Sequence, residues 1–159
     1  MKTRNEIWMR APARAIYPLA AEVERWPERL PHYRWVNVLE RSANRKLVEM
    51  AANRDGIPVS WRAVQTLEPD VPRITFRHVA GVTRGMDVVW SFQPMDGGTL
   101  VSIEHELTLR WPLIGTWVAE RVIGPQFVAN IAGKTLRRIK QLAEQGAAPS
   151  ASGAVPLDG

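Results

Sequence analysis

The chain has 159 residues, a formal net charge of +5 and no cysteine. This length fits one domain, and no stretch approaches the roughly 20 consecutive apolar residues of a membrane-spanning helix. The missing cysteine excludes disulfides and thiolate chemistry, and three histidines without HxxxH or HExxH spacing lead us to expect no metal and no cofactor.

The N-terminal part predicts one strand and two short helices. Residues 7–10 have a strand pattern, and the segment before them lacks the apolar block of a signal peptide, which favours a cytoplasmic protein. A helix follows Pro12 and runs to about Glu24, and Pro18 inside it predicts a kink or a late start. A second short helix begins at Trp26 and ends before Pro31.

A run of strands and one long helix make up the rest of the pattern. Turn signals such as Asp96-Gly97-Gly98 separate the strands, so we predict antiparallel hairpins. An apolar stripe from Val128 to Ala143 predicts an amphipathic helix, interrupted on its N-terminal side by Gly124-Pro125. Residues 146–159 have the low-complexity composition of a disordered tail. The predicted strands cover about 34–41, 46–54, 59–68, 73–80, 86–94 and 99–109.

In this order the chain resembles the START-like, Bet v 1-like superfamily of helix-grip proteins. The segments that carry the likeness are residues 23–31, residues 88–94 and the helix around 136–140. Within the superfamily they are most similar to the polyketide cyclase/dehydrase and coenzyme Q-binding START branch. The resemblance implies an α+β domain over residues 1–145, with a seven-stranded antiparallel sheet around a long C-terminal helix and two short helices after strand 1. It also implies a deep apolar cavity between sheet and helix.

The aromatic polyketide aromatase/cyclases of this superfamily resemble the chain at Trp26, Tyr33, Trp61 and Trp90. In those enzymes an arginine four residues after the second matched tryptophan is thought to polarise a carbonyl, and here that position holds Gln65. Glutamine donates a hydrogen bond but brings no positive charge to an enolate, so this departure weakens the case for aromatase/cyclase catalysis.

Strand alternation and residue chemistry select the candidate site residues. We expect Gln65 to orient a ligand from the inward face of its strand, and the aromatic side chains to stack on a planar ring. His78, His105 and Tyr33 are the candidates for proton transfer. Trp111 and Trp117 are expected near the cavity mouth. The predicted ligand-binding residues are Tyr33, Trp61, Gln65, His78, Trp90, Phe92 and His105.

Two classes of function remain open from the sequence. The first is an internal cavity that binds a hydrophobic, ring-bearing molecule (a polyketide, quinone or lipid), either as a carrier or as a polyketide cyclase/dehydrase. The second is a ribosome- or RNA-associated START-like protein without catalysis, which the arginine excess would suit. The arginines are dispersed from Arg4 to Arg138, and this argues against a nucleic-acid surface.

Overall fold

The computed structural model describes residues 2–54, 56–107 and 125–147. It confirms the predicted α+β class and the two short helices after strand 1. The elements in chain order are β1 (Lys2–Met9), α1 (Ala13–Ala21), a 3-10 turn (Val23–Arg25), α2 (Trp26–Arg29), β2 (Tyr33–Arg41), β3 (Arg45–Arg54), β4 (Ile57–Glu68), β5 (Arg73–Gly81), β6 (Asp87–Met95), β7 (Gly98–Glu106) and α3 (Pro125–Ala147).

The seven strands form one antiparallel sheet, as predicted. Their order is β1-β7-β6-β5-β4-β3-β2, so β1 and β2 are its two edges. Consecutive strands from β2 to β7 are paired as hairpins, and β1 closes on β7 from Lys2 opposite Glu106 to Met9 opposite Thr99. Asp96 and Gly97 both have positive φ, 52° and 77°, as the predicted Asp-Gly hairpin turn requires.

Helix α3 lies against the inner face of this sheet. Its apolar stripe is buried at Ala132, Leu136, Ile139 and Ala143, and Arg137 on the opposite face is exposed. The helix packs on β1 and on α1. The predicted helix-grip arrangement is therefore confirmed, with the core between α3 and the sheet.

The N-terminal elements differ from the prediction in length. β1 begins at Lys2 rather than residue 7, because the strand pairs with β7 along its whole length, with its charged residues exposed and Thr3 and Asn5 half-buried on the other face. α1 ends at Ala21 rather than near Glu24, and the following residues form the 3-10 turn. Pro18 lies inside α1, which starts at Ala13, so the proline does not delay the helix.

Some predictions concern residues outside the described part. They are Trp111 and Trp117 near the cavity mouth, Gly124 before the last helix, and the tail from residue 148 onward. α3 itself continues to Ala147, two residues beyond the predicted domain end at 145. Among the helices of the described residues, none has the length and hydropathy of a membrane-spanning segment.

Candidate functional site

A cavity lies between the inner face of the sheet and α3. About 70 Å³ of it admits the centre of a water molecule, which exceeds the space that a single buried water needs. Most of its lining is apolar or aromatic, with two histidines and two threonines among it. The lining residues are Trp26, Tyr33, Met50, Trp61, Phe76, His78, Thr83, Met86, Val88, Trp90, Ile103, His105, Val128, Ile131, Ala132 and Thr135.

Four aromatic side chains form one wall of the cavity. The ring centroid of Trp26 lies 4.9 Å from that of Tyr33 and 6.0 Å from that of Trp90, and Tyr33 lies 6.2 Å from Trp61. The Trp26 indole N–H donates to the Leu19 carbonyl at 3.1 Å, so its only polar atom is occupied. Trp26 therefore presents ring faces and edges to the cavity, which suit a flat apolar ligand.

His78 lies on β5 beside this wall. Its ring stacks on Trp61 with centroids 5.6 Å apart and planes 10° from parallel, and its Nδ1 forms a 2.6 Å hydrogen bond with the Thr83 hydroxyl. Burial, and in second place the neighbouring His105, lowers the pKa of His78 to about 3. The imidazole is therefore neutral at physiological pH.

Thr83 reaches His78 because the turn between β5 and β6 folds back over the strand. The Gly85 N–H donates to the His78 carbonyl at 2.9 Å, and Gly81 and Gly85 have φ of 94° and 93°. A Cβ atom at Gly81 would meet the Ser60 carbonyl oxygen at 2.7 Å, so this glycine is required for close packing. The sequence showed a turn here but gave no sign that its threonine enters the cavity.

His105 enters the cavity from β7. Burial lowers its pKa to about 4, so this imidazole is also neutral at physiological pH. Its Nδ1 is buried and has no hydrogen-bond partner among the described residues. Both predicted histidines thus meet in one cavity, with their rings in contact with an apolar lining.

A polar group from α3 completes the lining near Tyr33. Thr135 donates its hydroxyl to the Ile131 carbonyl at 2.8 Å, and its oxygen lies 2.8 Å from His32 Nε2. Burial, with a smaller contribution from Lys134, lowers the pKa of His32 to about 4. Burial raises the pKa of Tyr33, although Thr135 acts in the opposite direction, so its hydroxyl keeps its proton.

Two predicted ligand-binding residues lie outside the lining. Gln65 is fully buried, and its amide N–H donates to the Ala21 carbonyl at 2.9 Å, at the C-terminal end of α1. Phe92 packs on Tyr17 and Trp90, with centroid distances of 5.2 and 6.4 Å. The structure brings Tyr33, Trp61, His78, Trp90 and His105 together and places these two apart from them.

Sequence reasoning missed several lining residues. The apolar ones on the strands follow the same alternation that identified His78 and His105, and those on α3 belong to its apolar stripe, so the signal was present but does not distinguish cavity from core. Thr135 was visible as a polar residue within the apolar stripe of α3. Within the described ranges, no three His, Asp or Glu side chains converge as metal ligands would.

Comparison with known proteins identifies the family. Residues 9–131 match the family described as polyketide cyclase / dehydrase and lipid transport. The chain belongs to this family. It is 35% identical over 98 residues, or 60% of its length, to the actinorhodin polyketide synthase bifunctional cyclase/dehydratase of Streptomyces coelicolor. The matched segment covers 31% of that relative, so the chain spans about a third of its length.

Solved structures show the same fold. The Zhui aromatase/cyclase from Streptomyces sp. R1128 superposes with a TM-score of 0.84 at 20% identity, covering 98% of this chain and 99% of that one. A START superfamily protein from Mycobacterium smegmatis gives 0.63 at 16% identity, covering 92% and 95%. These likenesses confirm the helix-grip fold that the sequence predicted.

Proposed function

We propose that this polyketide cyclase/dehydrase family protein binds a linear poly-β-ketone in its aromatic cavity and directs ring closure and dehydration. The observation that carries the proposal is one cavity that combines an aromatic wall with two neutral imidazoles and a protonated tyrosine. The names of the relatives supply the substrate class. We assign this function to the domain predicted over residues 1–145 and to the cytoplasm.

The proposed reaction is an intramolecular aldol condensation. A CH₂ group between two carbonyls loses a proton, and the resulting enolate carbon forms a bond to another carbonyl carbon of the same chain. The π bond of that carbonyl breaks, and its oxygen takes up the proton. Loss of a further α-proton together with the hydroxyl then releases one water and leaves a carbon–carbon double bond.

Orientation supplies most of the proposed rate. An imidazole with a pKa of about 3 or 4 is a weak base, so His78 and His105 act better as neutral hydrogen-bonding groups than as strong proton acceptors. The described lining contains no lysine or arginine that would stabilise an enolate by charge. The main catalytic effect therefore comes from an aromatic cavity that holds the chain folded, with its reacting carbons close together.

Turnover of a synthetic linear tri-β-ketone thioester tests the proposal. We expect the full chain to produce, faster than buffer alone, a cyclic product lighter by one water, detected by liquid chromatography and mass spectrometry. His78→Leu and Tyr33→Phe should each slow this by at least about tenfold, because both remove a hydrogen-bonding group from the cavity.

Thr75→Val is the matched control for these variants, since Thr75 alternates with the buried Ile74 and Phe76 and lies on the outer face of β5. It should leave the rate unchanged. A wild-type rate and product pattern identical to those of buffer would refute the catalytic proposal. Tight binding of the thioester without turnover would instead identify a carrier.

A further inference from the structure

The paired strands β1 and β7 carry a group of side-chain polar atoms without hydrogen-bond partners on one face of the sheet. Among the described residues, five buried side-chain polar atoms have no hydrogen-bond partner, and three of them are Thr3 Oγ1, Asn5 Oδ1 and His105 Nδ1. Thr3 is directly opposite His105 in the β1–β7 register, and Asn5 follows two residues later on the same face of β1. Opposite Cβ atoms in such a pair are about 5 Å apart, and residues two apart on a strand are about 7 Å apart.

This group adjoins the cavity. His105 is itself a lining residue. Asn5 Nδ2 donates to the carbonyl of Ala129 at 3.3 Å, and Ala129 lies on α3 between the lining residues Val128 and Ile131. Buried polar groups in folded proteins nearly always have a partner, so three unpaired atoms beside a cavity indicate a place where a polar ligand atom or a water binds.

The hydrogen-bonding capacity of the three side chains defines which atom fits. Because Asn5 Nδ2 is bonded to α3, Oδ1 is the amide atom left, and it only accepts. The Thr3 hydroxyl and the neutral His105 ring can each donate. A single O–H group satisfies all three, since it donates to Asn5 and accepts from the other two.

Other oxygen groups fit less well. A ketone or ether oxygen has no hydrogen to give, so it would leave Asn5 Oδ1 buried and unpaired, which is costly. A carboxylate would bring a negative charge next to that same carbonyl oxygen, and none of the three side chains carries a compensating positive charge. The three side chains therefore favour a hydroxyl group over a ketone, ether or carboxylate oxygen, none of which carries a hydrogen.

We propose that Thr3, Asn5 and His105 form a subsite for one uncharged hydroxyl, which selects the enol or phenol form of a ligand over its ketone form. The proposal rests on the proposed function for the nature of the ligand in the cavity. In the absence of a ligand, a water molecule takes the same position and makes the same three hydrogen bonds.

Binding of two probes that differ by one methyl group tests this inference. Isothermal titration calorimetry would compare 2-naphthol with 2-methoxynaphthalene, which has the same rings but no hydroxyl hydrogen. We expect the naphthol to bind about tenfold more tightly, the effect of one buried hydrogen bond. Asn5→Leu should remove this preference and leave the affinity for the methyl ether within about twofold, because Asn5 Oδ1 accepts the hydrogen that only the naphthol carries. Thr3→Val should instead weaken the binding of both probes, because either oxygen can accept from the Thr3 hydroxyl.

Thr75→Val, on the outer face of the sheet, should keep the preference and serves as the matched control. Equal binding of both probes by the wild type would overturn the subsite and leave the ring-binding cavity standing, whereas binding of neither would contradict both. A crystal structure of the naphthol complex shows whether the oxygen bound at the subsite belongs to the naphthol or to a water molecule. The naphthol oxygen at Asn5 Oδ1 supports the inference, and a retained water there with the naphthol hydroxyl elsewhere overturns it.

Discussion

At the scale of single residues, strand alternation predicted which face a side chain occupies but not its position along the strand. Trp61 and Gln65 share the inward face of β4, and both are buried as predicted. They are four residues apart, which is about 13 Å along a strand. Trp61 therefore lines the cavity, whereas Gln65 reaches the end of α1.

Trp90 and Phe92 also show that alternation predicts the face of a side chain but not whether it lines the cavity. Both are buried on one face of β6, as the alternation predicted. Phe92 lies one inward position further along and packs on Tyr17, which comes from α1 and fills the space there. Periodicity thus identified the inward side chains, but the boundary between cavity and core depends on side chains contributed by other elements.

The buried histidines make stability depend on pH. The unfolded chain takes up a proton on each histidine below about pH 6.5, whereas folded His78 stays neutral down to about pH 3. The unfolded state therefore binds more protons in this window, and stability falls as the pH is lowered through it. Each such histidine contributes about 1.4 kcal/mol per pH unit.

Urea unfolding between pH 4 and pH 6 measures this effect. We expect His78→Gln to reduce the slope of the unfolding free energy against pH by about 1.4 kcal/mol per unit relative to the wild type. Equal slopes for the two proteins would mean that folded His78 titrates normally, which contradicts its burial among Trp61 and the cavity lining.

At the scale of elements, a side-chain cap joins the end of α1 to the sheet. Lys46 and Gln65 are register partners on β3 and β4, and both donate to the Ala21 carbonyl, at 3.5 and 2.9 Å. Lys46 also forms an ion pair with Glu24 at 2.9 Å. Burial alone would raise the pKa of Glu24, but the hydrogen bond and charge of Lys46 lower it overall.

This cap explains why Gln65 is inward and polar without contacting the cavity. The last carbonyl groups of a helix need donors from elsewhere, and a cation near a helix C-terminus is favourable. The sequence could not reveal the cap, because Ala21, Lys46 and Gln65 are far apart in the chain and no local pattern links them. From the sequence alone, a glutamine among apolar neighbours suggests a contact with a ligand as readily as a contact with a helix end.

Removal of the lysine tests the importance of the cap. Lys46→Met should lower the free energy of unfolding by about 2 kcal/mol, because it leaves Glu24 and the Ala21 carbonyl with fewer partners in a half-buried place. Arg62→Met breaks the exposed pair with Glu49, whose Nε–Oε2 distance is 2.7 Å, and should cost less than about 1 kcal/mol. Equal losses in urea unfolding would show that the cap contributes no more than a surface pair.

At the scale of the whole molecule, the order of elements predicted the fold. A sheet with one inward apolar face and one long amphipathic helix has few ways to bury both surfaces, and the resemblance to the helix-grip proteins implied which of these the chain adopts. The cavity was expected from the resemblance, but its volume depends on how far the side chains of α3 and the sheet fill the gap. No feature of the sequence predicts this cavity volume.

The charge of the molecule bears on the alternative function. Several arginines that contribute to the net charge of +5 pair with acidic neighbours on the surface. Such pairs neutralise local charge, whereas an RNA surface needs unpaired cations in one patch. The comparisons give no support to a ribosome- or RNA-associated role. The paired arginines are Arg4, Arg25, Arg29, Arg41, Arg62, Arg73 and Arg77.

The central claim is that a polyketide chain closes its ring inside the aromatic cavity, and filling that cavity tests it most directly. Ala132 lines the cavity from α3, whereas Ala143 is equally buried on the same helix away from it. Both Ala132→Leu and Ala143→Leu overpack the core and lower stability. Turnover of the linear tri-β-ketone thioester should be lost in folded Ala132→Leu and retained in Ala143→Leu. Wild-type turnover by Ala132→Leu would contradict the claim and place the reaction elsewhere on the molecule.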